Sequence, residues 1–155
     1  PLIEGSDCVL CLENLVTIIP SSAELVKTIE AIGSDNLGIC WDVGHLNLTK
    51  TYSVLETPEH FVEIAGKYIK ALHIADNDGR TDQHLIPNVR FDKDGFSCDP
   101  TKINLCLITK LLKKIGYEGL YNFEVPGEIK APLEIRKKKM ELIKLVGDFY
   151  LEKLW

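Results

Sequence analysis

With 155 residues, 45% of them hydrophobic, the chain is long enough for one domain with a real core and too short for two ordinary ones, so a single domain over residues 1–155 is expected. A net charge of −5 leaves no broad basic field, which argues against a nucleic-acid partner. No apolar run reaches the roughly 18 residues of a membrane span and the first residues lack the layout of a signal peptide, so the expectation is a soluble, cytoplasmic protein with no membrane partner. The chain starts at Pro1 rather than at a methionine, and is expected to be the back part of a longer protein.

In chain order, a strand is predicted from Cys8 to Asn14, followed by a helix from Ala23 to Ile32. Ser21-Ser22 and Glu24 give that helix a capping-box spacing, and Gly33 ends it. A second strand covers Leu37 to Val43 and runs into Gly44-His45, where the glycine is expected to allow a tight turn. Thr57-Pro58 is an N-cap with a first-turn proline and opens a helix over Glu59 to Tyr68. The third strand, Ile69 to Ala75, leads into a long polar segment, Asp76 to Cys98, of the length that functional lids have. Asp99-Pro100 should then cap a helix over Thr101 to Ile115, stopped by Gly116. A fourth strand is predicted over Gly119 to Val125 and a last helix over Pro132 to Leu154, with the basic run Arg136 to Lys139 on its solvated face. Strands that are nearly continuously apolar, alternating with helices four times, define an α/β fold with a parallel sheet covered by helices.

Five cysteines are present, and Cys8 and Cys11 form a C-x-x-C inside a strand-like run. Residues three apart on a strand point to opposite faces and no second such pair exists, so buried free thiols are expected rather than a zinc ribbon.

Each strand ends on a polar side chain that metals favour: Glu13, Asp42, His73 and Glu124. Alternation puts Val9, Cys11 and Glu13 on one face, likewise Gly38, Cys40 and Asp42, Ala71 and His73, and Asn122 and Glu124. Three carboxylates converging in a shielded pocket repel one another by several kcal/mol each, and a divalent cation would resolve the conflict. One such residue is commonly a cap or a surface group; four at the same depth of successive strands are hard to explain that way. His45 follows Asp42 by three residues, and Asp82 and His84 form a D-x-H just beyond Arg80. His60 falls on a helix surface, and Asp78 with Gly79 suits a turn.

The segments L-E-N at Leu12 to Asn14, W-D-V-G-H at Trp41 to His45, H-I-A-D-N-D-G-R-T-D-Q-H from His73 to His84, and G-Y-E-G-L-Y-N-F-E from Gly116 to Glu124 resemble the xylose isomerase-like barrel superfamily. That group holds sugar and sugar-phosphate isomerases and epimerases, inosose dehydratases and abasic-site endonucleases. The resemblance implies a (β/α)8 barrel of about 250 residues, of which this chain would supply the last four βα units. The first and last strands would then be open edges, to be covered by a second copy or by an N-terminal half. The loop after His84 lacks the glycine-rich turn usual in the family.

Carried over by position, the resemblance makes Glu13, Asp42, His73 and Glu124 ligands of Mn²⁺, Mg²⁺, Co²⁺ or Zn²⁺. Glu13 and Glu124 would be the acid and base, and His45 and Arg80 would hold substrate oxygens. In endonuclease-like members the positions of His45, Asp82 and His84 take a further metal. The leading expectation is a metal-dependent isomerase or epimerase acting on a sugar or sugar phosphate by proton transfer through an enediolate. The alternatives are an abasic-site endonuclease-like phosphodiesterase and a non-catalytic half barrel.

Overall fold

A computed structural model of the chain describes residues 3–15, 21–48, 56–87, 91–92, 95–96, 102–126 and 130–155. Three parallel strands, β1 (Leu10–Glu13), β2 (Leu37–Asp42) and β3 (Ile69–His73), lie in the order β1-β2-β3. Glu13 is opposite Cys40, and Asp42 is opposite His73, so the polar strand ends come to one rim. A register shift between Ile39 and Cys40 makes Lys70 the extra residue of β3.

The helices follow the local signals. Helix α1 (Ser22–Ile32) starts where the Ser21 hydroxyl accepts the Glu24 N–H, and it ends at Gly33, whose φ of 66° is the left-handed C-cap geometry. The chain then enters β2, and Val43–Leu46 forms the one-turn helix α2 where a strand end and a tight turn were expected. Asp42 causes this: its carboxylate caps the turn by accepting the His45 N–H. Gly44 does not sit at positive φ; it is needed for space, since a Cβ there would meet Ala75 O at 3.0 Å and Asp42 Oδ1 at 3.2 Å.

Helix α3 (Pro58–Ala65) is capped by Thr57 as predicted, and its last predicted turn tightens into a 3₁₀ segment, Gly66–Tyr68. Beyond β3 the chain folds back at an antiparallel bridge between Asp76 and Leu85, a reversal the sequence did not suggest. The two-residue strands β4 (Phe91–Asp92) and β5 (Gly95–Phe96) pair within the long polar segment expected to be a lid-like loop. The predicted Asp99-Pro100 cap lies outside the described residues. Helix α4 (Leu105–Lys114) begins later than expected because Asn104 caps it, accepting the Leu107 N–H at 2.9 Å.

The fourth predicted strand is reduced to one parallel bridge, Ile74 to Phe123, with hydrogen bonds of 2.9 and 3.1 Å flanking it. It borders β3 on one side, and among the described residues no further strand meets its other side, so the ladder does not extend. Helix α5 (Leu133–Leu154) closes the chain, with Arg136, Lys137 and Lys138 exposed as expected.

Alternation along the strands separates two faces. Ile39, Trp41, Leu72 and Ile74 point at the helices and are buried with Leu25, Phe61, Ile108 and Leu112. Trp41 stacks on Phe61 with ring centroids 5.2 Å apart. Burying side chains of this size contributes about 2–3 kcal/mol each. The other face carries the small and polar residues. The cysteine expectation needs correction in part: the described cysteines are free, but only Cys40 is buried, Cys8 being exposed and Cys11 half-buried because β1 is an edge strand.

Candidate metal centre

At the C-terminal rim the parallel register sets Asp42 beside His73, while Glu13 lies two residues lower, opposite Cys40, and Glu124 follows the bridge at Phe123, so the four residues are staggered rather than at one depth as expected. His73 Nδ1 lies 3.1 Å from Glu124 Oε2, 3.4 Å from Glu13 Oε2 and 3.9 Å from Asp42 Oδ2. None of these contacts has hydrogen-bond alignment, so His73 Nδ1 and Asp42 Oδ2 are both buried without a hydrogen-bond partner among the described residues. An unsatisfied buried polar atom costs roughly 1–3 kcal/mol; Trp41 Nε1 in the core is a third such atom among the described residues, but only Asp42 Oδ2 and His73 Nδ1 stand together among other metal-favouring groups. Ligand atoms of Asp42, His73 and Glu124 lie within 4.8 Å of one another, as do those of Glu13, Asp42 and His45, and of Glu13, Cys40 and His73. The donor set therefore fits a divalent cation.

The electrostatics agree. Burial pushes the Asp42 carboxyl up to about 6; the neighbouring charges of Glu13 and Glu124 push the same way, against the opposing effect of His45. Burial, with the Glu13 and Asp42 charges, likewise lifts the Cys40 thiol to about 12, so it is protonated beneath the rim.

His45 and His84 converge on Asp82. His45 Nε2 is 3.3 Å and His84 Nε2 3.1 Å from Asp82 Oδ2. The opposite nitrogens are held by main-chain carbonyls, His45 Nδ1 on Asn14 O and His84 Nδ1 on Glu124 O, each at 3.0 Å. A carbonyl can only accept, so both rings carry hydrogen on Nδ1; the ionised Asp82 carboxylate also only accepts, so its hydrogen bonds from Nε2 require that nitrogen to be protonated as well. His84 does so at a φ of 49°, and among the described residues it alone occupies positive φ without being glycine. Burial lowers its pKa, but the Glu124 carbonyl and the Asp82 and Glu124 charges outweigh that and leave it raised.

Arg80 is exposed, on the turn where Asp78 Oδ1 accepts the Arg80 and Thr81 N–H groups; the turn expected at Asp78 is present. His60 is exposed as expected, with Nδ1 2.8 Å from Glu56. Sequence reasoning passed over two buried asparagines. Asn77 donates to Gly44 O and accepts from Gly79 N and Asn47 Nδ2. Asn14 bonds twice to the main chain of Asp42. Both follow or neighbour strand-end ligands, but nothing in a single sequence marks such an amide as buried.

A parallel sheet with metal-favouring residues at its C-terminal rim is the architecture of β/α-barrel enzymes. The family model for the xylose isomerase-like TIM barrel matches residues 1–145, and the chain belongs to that family. It is 32% identical over 136 residues to uncharacterized protein MJ1311 of Methanocaldococcus jannaschii, covering 84% of this chain and 40% of that protein. With uncharacterized protein y4fM of Sinorhizobium fredii it shares 29% over 127 residues, 75% of this chain and 35% of that protein. Among solved structures, a D-tagatose 3-epimerase-like protein superposes with a TM-score of 0.60 at 25% identity, covering 95% of this chain and 49% of that one. A xylose isomerase domain protein from Planctomyces limnophilus shares the fold, with a TM-score of 0.59 at 16% identity, covering 94% and 48%. The chain thus spans about half of each structural relative and less than half of the two sequence relatives, consistent with a half-barrel α/β fold.

Proposed function

We propose that the rim is the metal centre of a sugar isomerase or epimerase, with Glu13, Asp42, His73 and Glu124 as ligands. The observation that carries this reading is Asp42 Oδ2, buried and unpaired, beside His73 and Glu124. A bound Mn²⁺, Mg²⁺, Co²⁺ or Zn²⁺ would supply Lewis acidity toward the carbonyl and hydroxyl oxygens of a hydroxy-carbonyl sugar. Glu13 and Glu124 come from opposite edges of the sheet and stand on either side of His73, placed to take a proton from one face of a substrate carbon and return it from the other. His45 and Arg80 would bind substrate oxygens. The epimerase-like structural neighbour supports this class over other barrel chemistry.

Glu124→Gln keeps the size of the side chain and removes the base. Turnover of a ketose or aldose should fall at least ~10²-fold with the fold unchanged; retained activity sinks the assignment.

The convergence of His45 and His84 on Asp82 favours a second reading, a phosphodiesterase with an additional cation there. The charge of −5 argues against a nucleic-acid substrate. Two metals per chain and cleavage of abasic DNA would establish that alternative; one metal and no cleavage would exclude it. Under either reading residues 1–155 form one structural unit, and a second copy or an N-terminal half completes the barrel. Among the described residues no helix is long and apolar enough to cross a membrane.

A further inference from the structure

The main chain of Asp42 is held from β1 by a side chain rather than by the β1 backbone. The last ladder pair between β1 and β2 is Glu13 with Cys40. Two residues on, the Leu15 N–H donates back to Glu13 O at 2.9 Å, turning the β1 backbone away before it can pair with Asp42. Asn14, only 2% exposed, fills the gap with its amide. Its Oδ1 accepts the Asp42 N–H at 2.7 Å and its Nδ2 donates to Asp42 O at 2.8 Å. An amide is the neutral side chain that offers an acceptor and a donor on one planar group, as a further strand residue would.

The clamp constrains the carboxylate as well as the backbone. Asp42 Oδ1 is already engaged by the His45 N–H at 2.8 Å. With N–H, C=O and Oδ1 all held, the side chain keeps one orientation, which leaves Oδ2 without a hydrogen bond among the described residues, 3.8 Å from His45 Nδ1 and 3.9 Å from His73 Nδ1. We infer that Asn14 is a positioning residue for the metal ligand Asp42, acting through the Asp42 backbone without touching the cation. This rests on reading the rim as a metal centre, and the experiment separates the two.

Co²⁺ is titrated into the protein and followed by its visible absorption, which reports affinity and ligand geometry without turnover. Wild type is compared with Asn14→Ala, which removes the clamp, and Asn14→Gln, which keeps the amide but displaces it by one methylene. Both variants should bind Co²⁺ about 10- to 100-fold more weakly, the range for outer-shell partners of a metal site, with an altered absorption band. Tyr68→Phe, which removes the hydrogen bond to Glu30 beside the N-terminal start of β3, at the end of the sheet opposite the rim, serves as the control variant and should leave the Co²⁺ curve at wild type. If wild type takes up no Co²⁺, the metal-centre reading fails. If wild type binds and either folded Asn14 variant matches it in affinity and absorption, the positioning role is overturned. Loss of the native circular dichroism spectrum in both variants would also overturn it, by making Asn14 a folding residue.

Discussion

At the residue scale, Asp42 and His84 are the groups whose raised pKa values bear on the stability of the metal-free protein near neutral pH. The Asp42 carboxyl titrates at about 6 against an ordinary 3.8, so the native state holds a proton that the unfolded chain has released between those values. The stabilisation is full below pH ~4 and is lost as pH rises through about 6. His84, raised from 6.5, acts in the same direction over a higher window. Metal-free protein should therefore be more stable at pH 5 than at pH 7.5, by roughly 1–3 kcal/mol, and Asp42→Asn should flatten the Asp42 part of that slope. Chemical denaturation across pH measures this; a stability that rises with pH in this window would contradict it. Divalent metal should reverse the trend, since binding requires ionised Asp42, and its affinity should fall as pH drops below 6.

Gly44 makes a second residue-scale case. A methyl group there would press on Ala75 O and on the Asp42 carboxylate. Gly44→Ala should cost about 1–3 kcal/mol and weaken metal uptake together, measured by thermal melts and Co²⁺ titration. A variant with wild-type stability would show that the rim has room to spare. W-D-V-G-H was legible as a site motif, but the need for its glycine was not: the constraint is crowding from Ala75, which only the fold brings near.

At the scale of elements, caps were the most legible feature. Ser21 with Glu24, Thr57 with Pro58, and Gly33 all act within a few residues, so their chemistry is written locally. The distant half of the α1 cap was not legible. Glu56 accepts the Ser22 N–H at 2.9 Å and also bonds the Ser22 hydroxyl, tying the start of α1 to the segment before α3. Its carboxylate is mostly buried and faces the positive end of the helix dipole. Glu56→Ala should destabilise the fold by ~1–2 kcal/mol, seen as a lower urea midpoint with an unchanged slope; no shift would mean that Ser21 alone caps the helix. Strand lengths were overestimated for the reciprocal reason. Apolar runs at Cys8–Asn14 and Gly119–Val125 are strand-like in composition, but a ladder extends only where a neighbour pairs with it, and both runs lie at the open edges of the sheet.

At the scale of the molecule, exposed apolar groups occur at both of those edges and along α5. Val9 and Leu10 are exposed on and beside β1, and Leu120, 81% exposed, begins the segment at the other edge. On α5, Leu133, Ile135, Met140, Leu142 and Leu145 are exposed although Ile143, Val146 and Tyr150 are buried, so the helix is apolar well beyond the face it packs. Surface of this kind is what the proposed completion of the barrel would cover. The 155-residue chain produced alone should self-associate and bind a hydrophobic dye, and both effects should fall with Leu10→Lys combined with Leu145→Lys. Native mass spectrometry gives the copy number and the metal content together; a dye-silent monomer would refute the proposed completion of the barrel.

The α/β class, the alternation of the three parallel strands with capped helices, and which residues end those strands were determined by the sequence itself. They depend on alternation and capping, interactions that run over a few residues. What only tertiary structure decided is how these pieces meet: the reversal that returns His84 to Asp82, the asparagine amides that stand in for backbone, the crowding at Gly44, and the unpaired Oδ2 of Asp42. Those depend on distances between residues far apart in the chain, set by packing and register together, and no local pattern encodes them.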